Sequence, residues 1–146
     1  MRAFSLPTYL HIVRASALYD LVVTAGFATP WTFPFIHRLM SGLNEGMGAA
    51  PLPAFGPFHM LIAGLLGSIV VVWSLLRIRE PAQRLGRHDG AARLLFSAWM
   101  AWTLHATGAP LLWLLLVPEF AWGVIQWWPV SPGEGRRDRA LVPMAA

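Results

Sequence analysis

Apolar residues occur in long runs along this chain, and shorter segments rich in polar residues, Gly and Pro separate them. A helix of about 20 apolar residues is long enough to cross a bilayer. Four such runs lie at about residues 11–29, 58–76, 92–107 and 111–128. Gly108, Ala109 and Pro110 form a turn signal, so the last two runs are expected to form a tight helical hairpin. The pattern predicts an all-α fold, an integral membrane four-helix bundle that forms one domain over residues 1–130.

The connection between the first two runs is long and contains an aromatic stretch. Residues 31–43 are rich in Trp and Phe, and His37 and Arg38 are their only charged or titratable side chains. Such a composition is typical of a short helix at the membrane interface, and a lid over the end of the bundle is the alternative. Residues 77–93 contain Pro81, Gly86 and Gly90 among several arginines, which predicts a solvated loop. Residues 131–146 are rich in Pro, Gly and Arg, which predicts a disordered cytoplasmic tail.

The basic residues indicate an orientation. All 11 of them are arginines, and all except Arg38 lie before the first run, near the start of the first or third run, between the second and third runs, or after the fourth. Cytoplasmic segments of membrane proteins have an excess of Lys and Arg, so both termini are expected in the cytoplasm. The use of Arg alone suggests a bacterial cytoplasmic (inner) membrane.

Composition narrows the class of protein and its partners. Hydrophobic residues make up 56% of the chain and charged residues 12%, where a soluble domain has about 25% charged residues. The arginines form no continuous patch, so the net charge of +4 indicates membrane lipid rather than nucleic acid as the partner. A membrane protein complex and a homo-oligomer are further candidate partners. Cysteine is absent, which excludes disulfides and thiolate metal sites.

Two carboxylates are expected at the same depth. Asp20 precedes Pro30 by ten positions and Glu119 follows Pro110 by nine. At a rise of 1.5 Å per residue, both lie roughly 15 Å from the outer edge, near the middle of the bilayer. Acidic residues at this depth are costly and usually face a cavity, a partner or a ligand. Asp20 and Glu119 are therefore the main candidates for a ligand or proton site.

Three further residues belong to this predicted site. Thr24 follows Asp20 by one helical turn, and Ser97 lies on the third run. Pro118 interrupts the backbone hydrogen bonding beside Glu119, which is typical of helices that hold ligands within membranes. Two structural alternatives remain: the carboxyl groups could be neutral and bonded to Thr24, Ser97 or backbone carbonyls, or Glu119 could pair with Arg93.

The histidines form a second candidate site. His59 and His105 are both expected near the outer ends of their helices, and two facing histidines can bind haem iron or, with a third ligand, copper or zinc. His37 could complete such a site. Two histidines without a spacing motif are more often ordinary hydrogen-bonded residues of a bundle.

Small residues on the second run predict close helix packing. Ala63 and Gly67, and likewise Gly64 and Ser68, are spaced by four positions, which allows two helix backbones to approach closely in lipid.

Sequence motifs of common enzymes are absent, so a noncatalytic role is expected. The prediction is a small membrane protein that acts as an accessory or binding subunit for a hydrophobic small molecule, a lipid or a larger membrane complex. The alternatives are a proton- or ion-coupled carrier that uses Asp20 and Glu119, and a haem- or metal-binding redox subunit that uses His59 and His105.

Overall fold

A computed structural model of the protein describes residues 3–131, and these residues are all-helical apart from loops and one isolated bridge. The all-α prediction is therefore confirmed for this part of the chain. The predicted tail lies, apart from Ser131, outside the described residues. The helices are α1 (Leu6–Thr24), a 3-10 turn (Ala25–Phe27), α2 (Phe33–Gly46), α3 (Pro57–Arg79), α4 (Gln83–Thr107) and α5 (Leu111–Trp127).

Helix α1 begins at Leu6, earlier than predicted, because the residues around this position favour a helix start. The side chain of Ser5 accepts a hydrogen bond from the backbone N–H of Thr8, and Pro7 lies in the first turn, where its missing N–H costs nothing. Tyr9, Val13 and Ala17 recur at intervals of four and are fully buried. One face of α1 is thus the centre of the fold.

The four long helices α1, α3, α4 and α5 alternate in direction and pack as two pairs. Helix α3 packs along α1, α5 packs along α4, and α1 also contacts both α4 and α5. The predicted hairpin is present: Gly108 ends α4 with φ 66°, a left-handed conformation that glycine adopts without steric cost. We call this side of the bundle the hairpin end. At the opposite, terminal end, Phe4 donates a backbone hydrogen bond to Pro129 and accepts one from Ser131.

The solvated loop predicted over residues 77–93 is wrong. Helix α3 continues to Arg79 and α4 begins at Gln83, so only a short connection remains. Gly90 is buried, and a Cβ placed on it would lie 2.8 Å from the Trp127 ring. The glycine therefore marks the close contact of α4 with α5 and not a turn. A glycine that permits helix contact and a glycine that permits a turn look alike in sequence.

Helix α2 occupies the predicted aromatic stretch and is attached at both of its ends. Phe33 at its start is buried and its ring contacts that of Phe27 at 5.8 Å. Asn44 near its end is buried, donates to the Ala50 carbonyl at 2.7 Å and accepts the first backbone N–H of α5, from Leu111, at 3.3 Å. Asn44 therefore satisfies one of the free N–H groups at the start of α5.

The small residues of α3 pack against the end of α1. A Cβ on Gly67 would lie 2.9 Å from the backbone carbon of Phe27 and 3.0 Å from the backbone nitrogen of Ala28. The hydroxyl of Ser68 donates to the Gly64 carbonyl at 2.8 Å. Ala63 is half-buried on the same helix. A close backbone approach is present at Gly67, and its partner is the 3-10 turn after α1.

Many large apolar side chains are exposed, whereas several charged side chains are buried. Phe58, Val72 and Leu95 are 80%, 68% and 66% exposed, whereas Arg77 and Arg93 are 0% and 2% exposed. Two helical stretches, Leu6–Phe27 and Pro57–Arg79, are long and apolar enough to cross a membrane. Helix α5 is apolar but shorter, and α4 is long but charged in its first half.

Candidate functional site

Five charged side chains form a buried cluster in the middle of the bundle. We call it the ion network; its members are Asp20 of α1, Arg77 of α3, Asp89 and Arg93 of α4, and Glu119 of α5. It joins all four long helices. Burying such groups is costly unless each is paired and hydrogen-bonded, so the positions of these helices are coupled to the geometry of the network.

Arg93 is the centre of the ion network. Its Nη2 lies 2.7 Å from both carboxylate oxygens of Asp20, its Nε lies 3.0 Å from Asp89 Oδ2, and its Nη1 lies 2.8 Å from Glu119 Oε2. Nη2 also donates to the backbone carbonyl of Ser16 at 3.3 Å. One guanidinium thus contacts three carboxylates from three helices, a geometry suited to the rigid fork of arginine donors.

Arg77 completes the pairing from the opposite side. Its Nη2 lies 2.5 Å from Asp20 Oδ2 and its Nη1 lies 2.5 Å from Asp89 Oδ2. The ring centroid of Trp73, one turn earlier on α3, lies 5.6 Å from the Cζ of this guanidinium. The cation–π contact compensates part of the desolvation of Arg77.

Neutral side chains extend the ion network toward the terminal end. Asp89 accepts hydrogen bonds from Trp73 Nε1 at 3.0 Å and from Gln126 Nε2 at 2.8 Å. Gln126 also donates to Ser16 Oγ at 2.7 Å, and its backbone carbonyl accepts from the Tyr9 hydroxyl at 2.7 Å. This end of the bundle is therefore filled by packed, hydrogen-bonded side chains.

Glu119 differs from the two aspartates. Within residues 3–131, its Oε1 accepts no hydrogen bond, although its Oε2 is bound by Arg93. The Glu119 side chain is 12% exposed. The ion network also contains one more carboxylate than guanidinium groups. The ion network therefore has a net negative charge. It also has, at Glu119, a carboxylate oxygen that is free to accept a hydrogen bond.

A large cavity opens toward the hairpin end from this point. Its volume is about 710 Å³, and Asp20, Asp89, Arg93 and Glu119 form its charged base. Apolar side chains from every helix form its walls, among them Leu39 and Met40 of α2, Val70 of α3, Met100 of α4 and Leu115 of α5. Val22 and Leu39 border the cavity and are 83% and 52% exposed, so the cavity reaches the lateral surface of the bundle. A cleft of this size is typical of sites for small molecules.

The predicted ligand-site residues are only partly brought together. Asp20 and Glu119 meet at Arg93, as one of the sequence alternatives proposed for Glu119. Thr24 borders the cavity, but its hydroxyl donates to the backbone carbonyl of Asp20 at 2.6 Å and not to the carboxylate. Ser97 is buried and its hydroxyl has no hydrogen-bond partner within residues 3–131, so it does not bond to Glu119. Pro118 lies within α5 beside Glu119.

The histidines lie outside this cluster. His37 and His59 both contact the Phe55 ring, with centroids at 5.2 and 5.9 Å, and His37 Nε2 lies 3.0 Å from the Pro53 carbonyl. His105 is exposed in the last turn of α4, and the described residues provide no contact between it and His59. Residues 3–131 contain no group of three or more His, Asp or Glu residues suited to a metal ion. A haem or copper site at His59 and His105 stays a sequence prediction.

Arg77 and Asp89 are not among the residues predicted for the site, because the sequence pattern predicts a solvated loop over both of them. A signal was present: Asp89, Arg93 and Ser97 are spaced by four, which continues the polar stripe of α4 by one turn. Similarly, Ser74 and Arg77 are three apart at the end of α3 and both are fully buried. Extending the α4 period back across Gly90, and the α3 period forward from Ser74, places both residues on the inward face.

Comparison with known proteins adds no assignment. No family model matches the chain, and no curated protein or solved structure is significantly similar to it.

Proposed function

We propose that this chain is a noncatalytic four-span membrane protein of the bacterial cytoplasmic membrane that binds a hydrophobic small molecule in the cavity above the ion network. The observation on which the proposal depends is the cavity of about 710 Å³ with apolar walls and a charged base. Apolar walls provide affinity through burial of ligand surface, and a few polar groups fix its orientation. An accessory role in a larger complex is compatible with this binding.

The exposed apolar surface supports the membrane assignment. Soluble monomers rarely expose large contiguous apolar patches, whereas this bundle exposes Phe58, Leu65, Ile69 and Val72 along α3 alone. Buried ion pairs with an apolar exterior are expected where lipid is the solvent. Arg79 and Arg84 lie exposed at the terminal end and Arg38 at the hairpin end, so the excess of arginine supports a cytoplasmic terminal end. Arg77 and Arg93 do not count toward this excess because they belong to the ion network.

The orientation is tested by single cysteines in this naturally cysteine-free chain. Gly46→Cys lies exposed at the end of α2, and Arg84→Cys lies exposed at the start of α4. A membrane-impermeant maleimide is expected to label Gly46→Cys in right-side-out vesicles and Arg84→Cys only in inverted vesicles. Labelling of both positions from the same side would contradict the four-span arrangement.

Ligand binding is tested by filling the cavity. Val70→Phe enlarges a side chain of the cavity wall, and Val72→Phe makes the same change on α3 at a position that is 68% exposed and does not line the cavity. In nanodiscs of phosphatidylcholine, equilibrium dialysis with the neutral probe 4-phenylbutanol is expected to show about tenfold weaker binding to Val70→Phe, since overpacking costs about 1–3 kcal/mol.

Empty nanodiscs provide the background for probe that dissolves in lipid. Val72→Phe is expected to bind like the unmodified chain. If both variants bind the probe equally well, or if the unmodified chain binds none above background, the cavity is not a binding site. Mass analysis of small molecules that co-purify with the unmodified chain, and are lost from Val70→Phe, would identify the ligand.

A proton- or ion-coupled carrier is a second proposal, supported by Oε1 of Glu119 at the cavity base, which accepts no hydrogen bond from the described part of the chain. Both Arg77 and Arg93 pair with Asp20, so Asp20 is less suited to exchange a proton. Of the two predicted carboxylates, Glu119 is therefore the better candidate for the group that binds and releases the proton or ion. Ion movement driven by a pH gradient in proteoliposomes would favour the carrier over a simple binding protein.

A further inference from the structure

We infer that the ligand of the cavity is a small molecule with an apolar body and a single protonated amine, and that Glu119 is the group that binds this amine. This assignment rests on the proposed binding function and specifies its ligand class. It depends on the charge and the hydrogen-bond inventory of the cavity base.

The charges at the base favour a cation. Four charged residues line the cavity, the carboxylates of Asp20, Asp89 and Glu119 and the guanidinium of Arg93. Arg77, the second guanidinium of the ion network, is fully buried and does not line the cavity. One positive charge is therefore missing from the network, and a bound monocation would supply it. An uncompensated charge in an apolar environment is costly, so binding of a cation is favoured and binding of an anion is opposed.

The hydrogen bonds show where this cation would bind. Every nitrogen of the Arg93 guanidinium already donates to a carboxylate. Both oxygens of Asp20 and both oxygens of Asp89 accept hydrogen bonds from arginine or tryptophan. Among the three carboxylates, only Oε1 of Glu119 has no donor within the described residues. A ligand ammonium would donate to this oxygen and complete the network.

The charge of the cavity base disfavours a phospholipid headgroup as the source of the amine. The ammonium of phosphatidylethanolamine is adjacent to a phosphate, and that phosphate would lie against three carboxylates with no free guanidinium to bind it. A small amine with a hydrophobic body has no such anionic group. The cavity walls, from Leu39 to Leu115, would surround the body.

Three probes with one apolar body and different heads test the assignment: 4-phenylbutylamine, 4-phenylbutanol and 4-phenylbutyrate. An alkylamine is protonated at pH 7, like a lysine side chain. A hydrogen bond that involves charged groups is stronger than a neutral one by an amount that corresponds to about tenfold in affinity. In phosphatidylcholine nanodiscs, we expect the amine to bind about tenfold more tightly than the alcohol and the butyrate to bind most weakly.

Glu119→Gln is the decisive variant because Gln keeps the size and an oxygen that can accept from Arg93. It is expected to reduce the preference for amine over alcohol to less than about twofold, because the neutral amide removes the negative charge that favours the ammonium. Glu80→Gln, at an exposed carboxylate beyond the end of α3, is the matched control and is expected to keep the full preference. Substituting phosphatidylethanolamine for phosphatidylcholine is expected to leave amine binding unchanged.

The outcomes separate the two proposals. Equal binding of amine and alcohol by the unmodified chain, or an amine preference that survives in Glu119→Gln, overturns the amine assignment and leaves the hydrophobic site intact. Competition by phosphatidylethanolamine overturns the small-molecule source. If Val70→Phe weakens the binding of none of the three probes, the proposed binding function itself is wrong. The comparison of probes on the unmodified chain gives its answer even if Glu119→Gln does not fold.

Discussion

Replacing Arg93 by methionine is expected to lower the free energy of unfolding by about 3–5 kcal/mol, the usual cost of removing one partner from a buried ion pair. Methionine has a similar length and fills the space, so packing changes little and the loss is electrostatic. Asp20 and Asp89 would retain only Arg77 as a cationic partner, and Glu119 would have none. The change can be measured as the shift in the unfolding transition in mixed micelles of mild detergent and dodecyl sulfate, followed by circular dichroism.

Arg84→Met is the matched control for this experiment. Arg84 lies on the same helix, but its side chain is exposed and outside the ion network. Substitution there is expected to change the free energy of unfolding by less than about 0.5 kcal/mol. Similar effects of the two substitutions would mean that the ion network does not stabilise the fold.

Replacing Gly67 by alanine is expected to destabilise the protein by about 1–3 kcal/mol through overpacking. The added methyl carbon would lie 2.9 Å from the Phe27 backbone carbon and 3.0 Å from the Ala28 nitrogen. These are backbone atoms, so relief requires α3 to move away from the end of α1. Since Phe27 and Val70 both border the cavity, the same movement is expected to weaken binding of 4-phenylbutanol.

Gly64→Ala tests whether this effect is local to the contact. Gly64 is one turn earlier on α3, and a Cβ there would lie 3.7 Å from the Phe27 carbonyl oxygen, an ordinary contact. Because alanine favours helix by up to about 1 kcal/mol relative to glycine, this variant is expected to be neutral or slightly more stable. If Gly67→Ala were as stable as Gly64→Ala in the same unfolding assay, the close packing of α3 on the 3-10 turn would be incorrect.

The helices were predictable where local signals were strong. Gly108 and Pro110 separated α4 from α5 correctly, because a left-handed glycine followed by proline cannot continue a helix. The aromatic stretch before Leu43 was correctly expected to form a short helix, although it extends to Gly46. The start of α4 was missed because Gly86 and Gly90 were interpreted as turn residues, and only their neighbours in space, Tyr9 and Trp127, explain them.

The candidate site was predictable in part. The matching depth of Asp20 and Glu119 followed from their distances to the nearest prolines, and the structure places both on Arg93. The sequence could not predict which carboxylate oxygen would lack a hydrogen-bond donor among the described residues. That depends on how two guanidinium groups pair with three carboxylates. Helical periodicity indicates which face of a helix is polar but does not assign partners between helices.

The sequence alone determined the helical class, the apolar lengths and the presence of acidic residues within them, because these properties depend on neighbours along the chain. Tertiary structure decided that the glycines of α4 are contact points, that Arg77 and Asp89 are buried, and that the helices separate above Glu119 to leave a cavity. Each of these features depends on the distance between helices. That distance is set by how side chains from four segments fill a common space, and no single segment contains this information.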